Sequence, residues 1–405
     1  MDELDLDSAR ESTPTPAIPV QVPSTRLRSI DLVRGLIMVI MALDHTRGYF
    51  QNIQFEITDL SRTSGRYFLT RWITHFCAPT FVFLAGVSAF QAGRRRTSAS
   101  LASFLFTRGL WLIILEFTVI RFGWTFATHY RDGIGGGVLW AIGCSMIFLS
   151  FLVWFPSWVS AIVGLAMILL HNAFDGMQPP VTEPALRGLW AVLHIPKELS
   201  IGGYLPFFSG YPLIPWLGVM AVGYAIGNVF SWPTKERRGF LIFLGFSLIT
   251  CFIALRYTNR YGDARPWVSQ TTERFTVYSF LDCTKYPPSL LYLLMTLGPS
   301  LVLLGVAEIL PEKGFRWLGY FGKVPMFFYI LHIYLIHIVA ASLAYVRFGV
   351  ELDDQLMYNS HRVEMGYSLP VVYLIWVGVI LALYLPCRWY AGVKARSKSQ
   401  WLSYL

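Results

Sequence analysis

Charge is scarce in this sequence. Only 14% of its 405 residues are Asp, Glu, Lys or Arg, while 55% are hydrophobic and mean hydropathy is +0.50. A soluble domain carries about 25% charged residues, and its core cannot hide this much apolar surface. The five cysteines, Cys77, Cys144, Cys251, Cys283 and Cys387, are odd in number, lack CxxC spacing and mostly lie in apolar runs. Neither a disulfide framework nor a zinc site is indicated. No repeat of fixed period and no inverted pair of interrupted spans is present, which weighs against a common transporter plan. GIGGGV at 133–138 lacks the Lys-Ser/Thr of a phosphate loop and no soluble strand precedes it, which speaks against nucleotide binding there. The first 25 residues, acidic and then Pro/Thr-rich, hold no apolar core of a signal peptide and read as a disordered cytoplasmic tail.

What the chain does have is length of apolar run. Such runs occur at 29–50, 72–92, 101–127, 138–155, 158–174, 211–230, 239–256, 287–309, 317–345 and 369–390, and about 20 residues of helix cross a bilayer. The fold class expected is all-α: a polytopic membrane protein of about ten transmembrane helices with both termini cytoplasmic. Its membrane domain spans 26–392, and 393–405 forms a second cytoplasmic tail. Inner loops then carry Arg94, Arg95 and Arg96, Lys235, Arg237 and Arg238, Lys313 and Arg316, and Lys394, Arg396 and Lys398, as the positive-inside rule requires. The remaining inner loop, Phe155-Pro156-Ser157, is a tight turn. Segments 51–71, 175–210, 257–286 and 346–368 fall outside. The net charge of +9 reads as loops facing anionic lipid rather than as a nucleic-acid surface.

The first run is the most informative. Asp31 and Arg34 open it and Asp44 and His45 close it, and ionisable groups in a membrane helix are functional candidates by default. At helical spacing Asp31, Arg34, Met38, Met41 and His45 share an arc of roughly 80°, with Arg34 about 16 Å from His45 along the axis. One face thus offers a guanidinium that can fork onto phosphate or a polarised carbonyl. At its far end an imidazole can take a proton from an attacking amine or hydroxyl. That spacing suits an extended thioester threaded across the membrane. The bland alternative is an i, i+3 pair of Asp31 with Arg34 at one interface and His45 capping the other end.

These residues also carry a resemblance. RLRSIDLVRGLIMVIMALDH (26–45) resembles the first helix of the heparan-alpha-glucosaminide N-acetyltransferase catalytic-domain family. HFCAPTFVFLAGVSAF (75–90), YPLIPWLGVMAVGYAIG (211–227), KYPPSLLYLLMTLGP (285–299) and GKVPMFFYILHIYLIH (322–337) look like further blocks of its bacterial branch. The Arg-Gly start with a histidine eleven residues after the arginine is also similar to the acyltransferase-3 family, whose arginine and histidine map onto Arg34 and His45. The resemblance implies transfer of an acyl group, typically acetyl, from cytoplasmic acetyl-CoA or another acyl-CoA to an amino or hydroxyl group of an extracytoplasmic sugar or glycolipid. It implies acyl-CoA as co-substrate with no permanently bound cofactor, and location in a bacterial cytoplasmic membrane. One departure matters: lysosomal members place their active histidine between the first two helices, where residues 51–71 here have none. His75 stands where those members carry an acidic residue.

The candidate catalytic residues are therefore His45 and His75, with Asp44 beside the former. Arg34 and Asp31, with Arg94 and Arg95, are candidates for holding the donor. Lys285 and Tyr286 enter the eighth run in a family block and are acceptor candidates, as are His332 and His337. The last two differ by about 140° around a helix, which argues against a shared metal, and no metal ligand is assigned. His129, His171, His194 and His361 fall at or near outer connections, with surface roles as the default. The partners expected are the bilayer, acyl-CoA and a glycan acceptor, with no nucleic acid; a homo-oligomer stays open. The rival function is a transporter or flippase for a polar lipid or glycan, with Asp31, Arg34 and His45 lining its path.

Overall fold

A computed structural model describes residues 27–53, 55–131, 133–180, 182–201, 204–349 and 366–397. The expected tail 1–25, His361 and most of 393–405 lie outside the described residues. Among the described residues fifteen α-helices follow one another: α1 (Arg28–Phe50), α2 (Gly65–Thr74), α3 (Cys77–Gly93), α4 (Ser98–Leu115), α5 (Arg121–Thr125), α6 (Val138–Leu152), α7 (Ser157–Leu170), α8 (Pro184–Leu193), α9 (Leu213–Ile226), α10 (Thr234–Thr258), α11 (Glu273–Leu281), α12 (Leu290–Ala307), α13 (Glu312–Lys323), α14 (Pro325–Phe348) and α15 (Leu369–Arg396). Among the described residues, eight helical stretches are long and apolar enough to cross a membrane, and α6 is apolar but shorter. α1 has the length, at 23 residues, and differs in the charges it carries. The protein is an all-α integral membrane protein.

Several boundaries differ from the sequence expectation. The run 317–345 is two helices, broken at Val324-Pro325. Proline has no N–H to continue a ladder but suits a first helical position, so α13 ends and α14 starts there. The second span begins at Gly65, inside the expected connection 51–71, and is interrupted by a turn at His75-Phe76. The connections between these helices hold α8, α11 and a small sheet, ordered β1 (Ile134–Gly135), β3 (Leu205–Phe208), β2 (Glu198–Ile201), with β1–β3 parallel and β2–β3 antiparallel. His171 and His194, expected at the surface, are each only 1% exposed, because 171–194 folds back against the end of α7.

α1 lies at the centre, in contact with α2, α3, α12, α13, α14 and α15. Gly35 makes this possible: a Cβ there would collide with the Leu318 carbonyl of α13, so only glycine allows the approach. Gly86 does the same for α3 against α9, where a Cβ would meet the Met220 carbonyl. A buried ion pair closes one end of the bundle: Arg237 donates from Nε and Nη2 to the two Glu308 oxygens at 2.9 and 2.6 Å, and Ser29 Oγ donates to Glu308 at 2.6 Å. This joins α10, α12 and the start of α1. Arg237, expected as a loop charge, is thus a structural cation.

Candidate active site

The site grows from the second half of α1. His45 Nδ1 lies 2.7 Å from His332 Nε2 on α14, and the two rings stack at 4.9 Å. His332 Nδ1 in turn lies 3.0 Å from the Phe328 carbonyl one turn earlier. A carbonyl can only accept, so for the neutral pair the proton of His332 is assigned to Nδ1 and its Nε2 carries the lone pair. The single proton between the histidines then belongs to His45 Nδ1, leaving His45 Nε2 as an unprotonated base. A backbone carbonyl therefore sets the tautomer of both rings. The Trp124 ring meets His45 edge-on at 4.9 Å, and Tyr49 Oη donates to the Trp124 carbonyl at 2.8 Å, which fixes that wall.

His45 lines a cavity of about 330 Å3 with Asp44, Arg47, Tyr49, Glu116, Trp124, Tyr211, Lys285, Tyr286 and Tyr329. Asp44 is held rather than free: Arg71 Nη1 donates to both of its oxygens at 2.9 and 2.8 Å, and Arg47 Nη2 to one at 2.9 Å. The Lys285 ammonium sits 5.1 Å from the centre of the Tyr286 ring, and Tyr211 packs edge-on against Tyr286 at 5.3 Å. Burial works to raise the Tyr286 phenol, but Lys285 and Arg71 together bring it below its ordinary value.

A second cavity, about 360 Å3, opens toward the other end of α1. Its walls are apolar, with Met38, Met41, Phe81 and Leu112, and its cations are Arg34, Arg108, Lys323 and Lys394. Arg34 Nη2 donates to Ser88 Oγ at 2.9 Å, and its Nη1 lies 3.9 Å from Asp31 Oδ1. Both cavities are lined by Val138 and Tyr329, and Met41 stands one helical turn from His45. A basic, apolar-walled chamber and a polar, aromatic one thus meet beside the histidine pair. An amine or hydroxyl on one side could reach a carbonyl delivered from the other while His45 takes its proton.

The structure brings together Arg34, Asp44, His45, Lys285, Tyr286 and His332 along this path. Arg94 and Arg95 are exposed and line neither cavity. His75 is buried at the turn between α2 and α3, where its carbonyl accepts from Tyr292 Oη at 2.7 Å; it lines neither cavity. His337 Nδ1 lies 2.9 Å from the Gly123 carbonyl and its ring stacks on Phe126 at 3.8 Å, a packing position. Sequence reasoning missed Arg108, Lys323 and Glu116. Glu116 accepts from the Leu139 and Trp140 amides at 2.8 and 3.3 Å, capping α6 where a helix N-terminus favours an anion. Its signal was available: it is a lone carboxylate in the apolar run 101–127.

No relative among curated proteins matches the chain significantly. The family described as heparan-alpha-glucosaminide N-acetyltransferase, catalytic, matches residues 26–256, from the start of α1 through most of α10, so that the blocks at 285–299 and 322–337 lie beyond the match. With more than half the chain matched and α1 at the centre of the site, this protein belongs to the heparan-alpha-glucosaminide N-acetyltransferase catalytic-domain family.

Proposed function

We propose that the protein is an acyltransferase that moves an acyl group, acetyl above all, from cytoplasmic acyl-CoA to an amino or hydroxyl group of a sugar or glycolipid on the far side of a bacterial cytoplasmic membrane. The observation that carries this reading is the His45–His332–Phe328 chain at the meeting of two chemically different cavities. Membership of a family named for acetyl transfer to a glucosaminide supports the reaction class. In the basic chamber Arg34, Arg108, Lys323 and Lys394 hold the phosphates of the donor, and the methionines beyond Arg34 accommodate its uncharged arm. The polar chamber takes the acceptor, with Trp124, Tyr211 and Tyr286 offering faces and hydroxyls to a sugar, and Lys285 orienting it.

In the reaction the acceptor's nitrogen or oxygen attacks the thioester carbon as its proton passes to His45 Nε2. A C–N or C–O bond forms, the C–S bond breaks, and the thiolate leaves, to be protonated as the free thiol. The imidazolium formed on His45 is supported by His332 Nε2, which accepts from its Nδ1–H. The positive-inside pattern supports placing the Arg34 end in the cytoplasm.

The test is acyl transfer by the purified protein in detergent. An enzyme consumes acyl-CoA in the presence of an amino- or hydroxyl-sugar without any sealed compartment, and His45→Ala abolishes this. Absence of donor turnover in detergent, together with gradient-dependent uptake of a glycan or lipid in sealed vesicles, would establish the transporter instead.

A further inference from the structure

Away from the α1 site, His171, Asp175 and His194 form a cluster whose candidate ligand atoms all lie within 4.8 Å of one another. His171 opens the single 3-10 turn that ends the α7 span, Asp175 follows that turn, and His194 stands at the C-terminal end of α8. Both imidazoles are 1% exposed, and none of their four ring nitrogens has a hydrogen-bond partner among the described residues. His194 Nε2 comes to 3.3 Å from Asp175 Oδ1 without hydrogen-bond alignment. A buried polar group left unpaired costs about 1–3 kcal/mol, so two such imidazoles facing one carboxylate call for a common partner.

We infer that His171, Asp175 and His194 bind a divalent transition-metal ion, zinc by its chemistry, that clamps the 171–194 segment to the end of α7. Two imidazoles and one carboxylate make a nitrogen-rich, borderline donor set that suits zinc, whereas calcium and magnesium demand oxygen shells. Tetrahedral bonds of about 2.0–2.1 Å need ligand atoms roughly 3.4 Å apart, so the His194–Asp175 pair is already spaced for the ion and His171 closes on it by side-chain rotation. The fourth position falls to water. The outer contacts are in place: Asn172 Nδ2 donates to Asp175 Oδ2 at 2.8 Å, orienting the carboxylate, and Asn172 Oδ1 accepts from the Leu290 amide at 2.8 Å. Through Asn172 the ion is coupled to the first residue of α12, four residues beyond Tyr286 and the acceptor chamber.

The test uses the full chain in detergent, stripped with a chelator, and titrated with Zn2+ by calorimetry and with Co2+ by its visible d–d absorption. The expected result is one equivalent bound, with a tetrahedral Co2+ spectrum. His171→Ala and His194→Ala weaken binding at least ~100-fold and Asp175→Asn at least ~10-fold, while His129→Ala binds as wild type. His194→Gln is the fallback should an alanine variant not fold, and Zn2+ should raise the melting temperature of wild type but not of His194→Gln. No metal uptake by the stripped wild type, or undiminished uptake in folded His171 and His194 variants, would overturn the inference. Since metal binding is read without acyl transfer, either conclusion can fail while the other stands.

Discussion

The sharpest prediction concerns His332, which pairs with His45 and itself lines neither cavity. His332→Ala removes the acceptor of the His45 Nδ1–H bond, 2.7 Å in the folded protein, and frees His45 to adopt the other tautomer. Losing the partner of a buried donor costs about 1–3 kcal/mol. If that cost falls in the transition state, where the imidazolium needs the bond most, it corresponds to roughly 5- to 150-fold in rate. A carboxylate partner in a hydrolase triad is worth about 10⁴-fold, which bounds the effect from above because His332 is neutral. We therefore expect kcat to fall about 10- to 100-fold in His332→Ala, with donor affinity near wild type and a melting temperature lowered by loss of a fully buried ring. His332→Gln, whose amide oxygen can accept from Nδ1–H, should recover most of that loss. The assay is transfer from radiolabelled acetyl-CoA in detergent, with the donor dissociation constant measured separately. Wild-type turnover in a folded His332→Ala, or equal damage in the alanine and glutamine variants, would refute the tautomer argument.

Three further outcomes can be measured. His45→Ala should reduce turnover at least ~100-fold while preserving donor binding, as expected for loss of a general base, whereas His75→Ala should cost less because that ring lines neither cavity; a dead His75→Ala beside an active His45→Ala would move the base. Arg34→Lys and Arg108→Ala should each raise the donor KM, by ~10-fold or more for loss of a charge-assisted fork, while Arg94→Ala and Arg95→Ala should leave it unchanged; the reverse pattern would place the donor at the exposed loop. Asp44→Asn should lower the melting temperature, since it leaves Arg71 and Arg47 facing an uncharged group, a loss on the order of 3 kcal/mol for a broken buried pair; an unchanged melting curve would make Asp44 a spectator in folding.

The all-α membrane class and the rough position of most membrane helices were legible in the sequence, because hydrocarbon admits only backbone that bonds to itself and apolar length reports that directly, although eight stretches rather than the ten expected are long and apolar enough to span. The first helix was also legible as a carrier of candidate residues: Arg34 and His45 stand out since ionisable groups in an apolar run are costly to keep. Other features exist only once helices far apart in sequence are packed. His332 was visible as a histidine, but that its Nε2 faces the Nδ1 of His45, 287 positions away, depends on how α14 is rotated against α1. The basic chamber draws Arg34, Arg108, Lys323 and Lys394 from four helices, and no local spacing relates them; Arg94 and Arg95 drew notice only by being adjacent. His171 and His194 read as surface residues because nothing in the chain announces that α8 folds its end onto the last turn of α7. Periodicity and hydropathy report on one helix at a time, whereas the proton path, the chambers and the histidine cluster are decided by side chains meeting across helices.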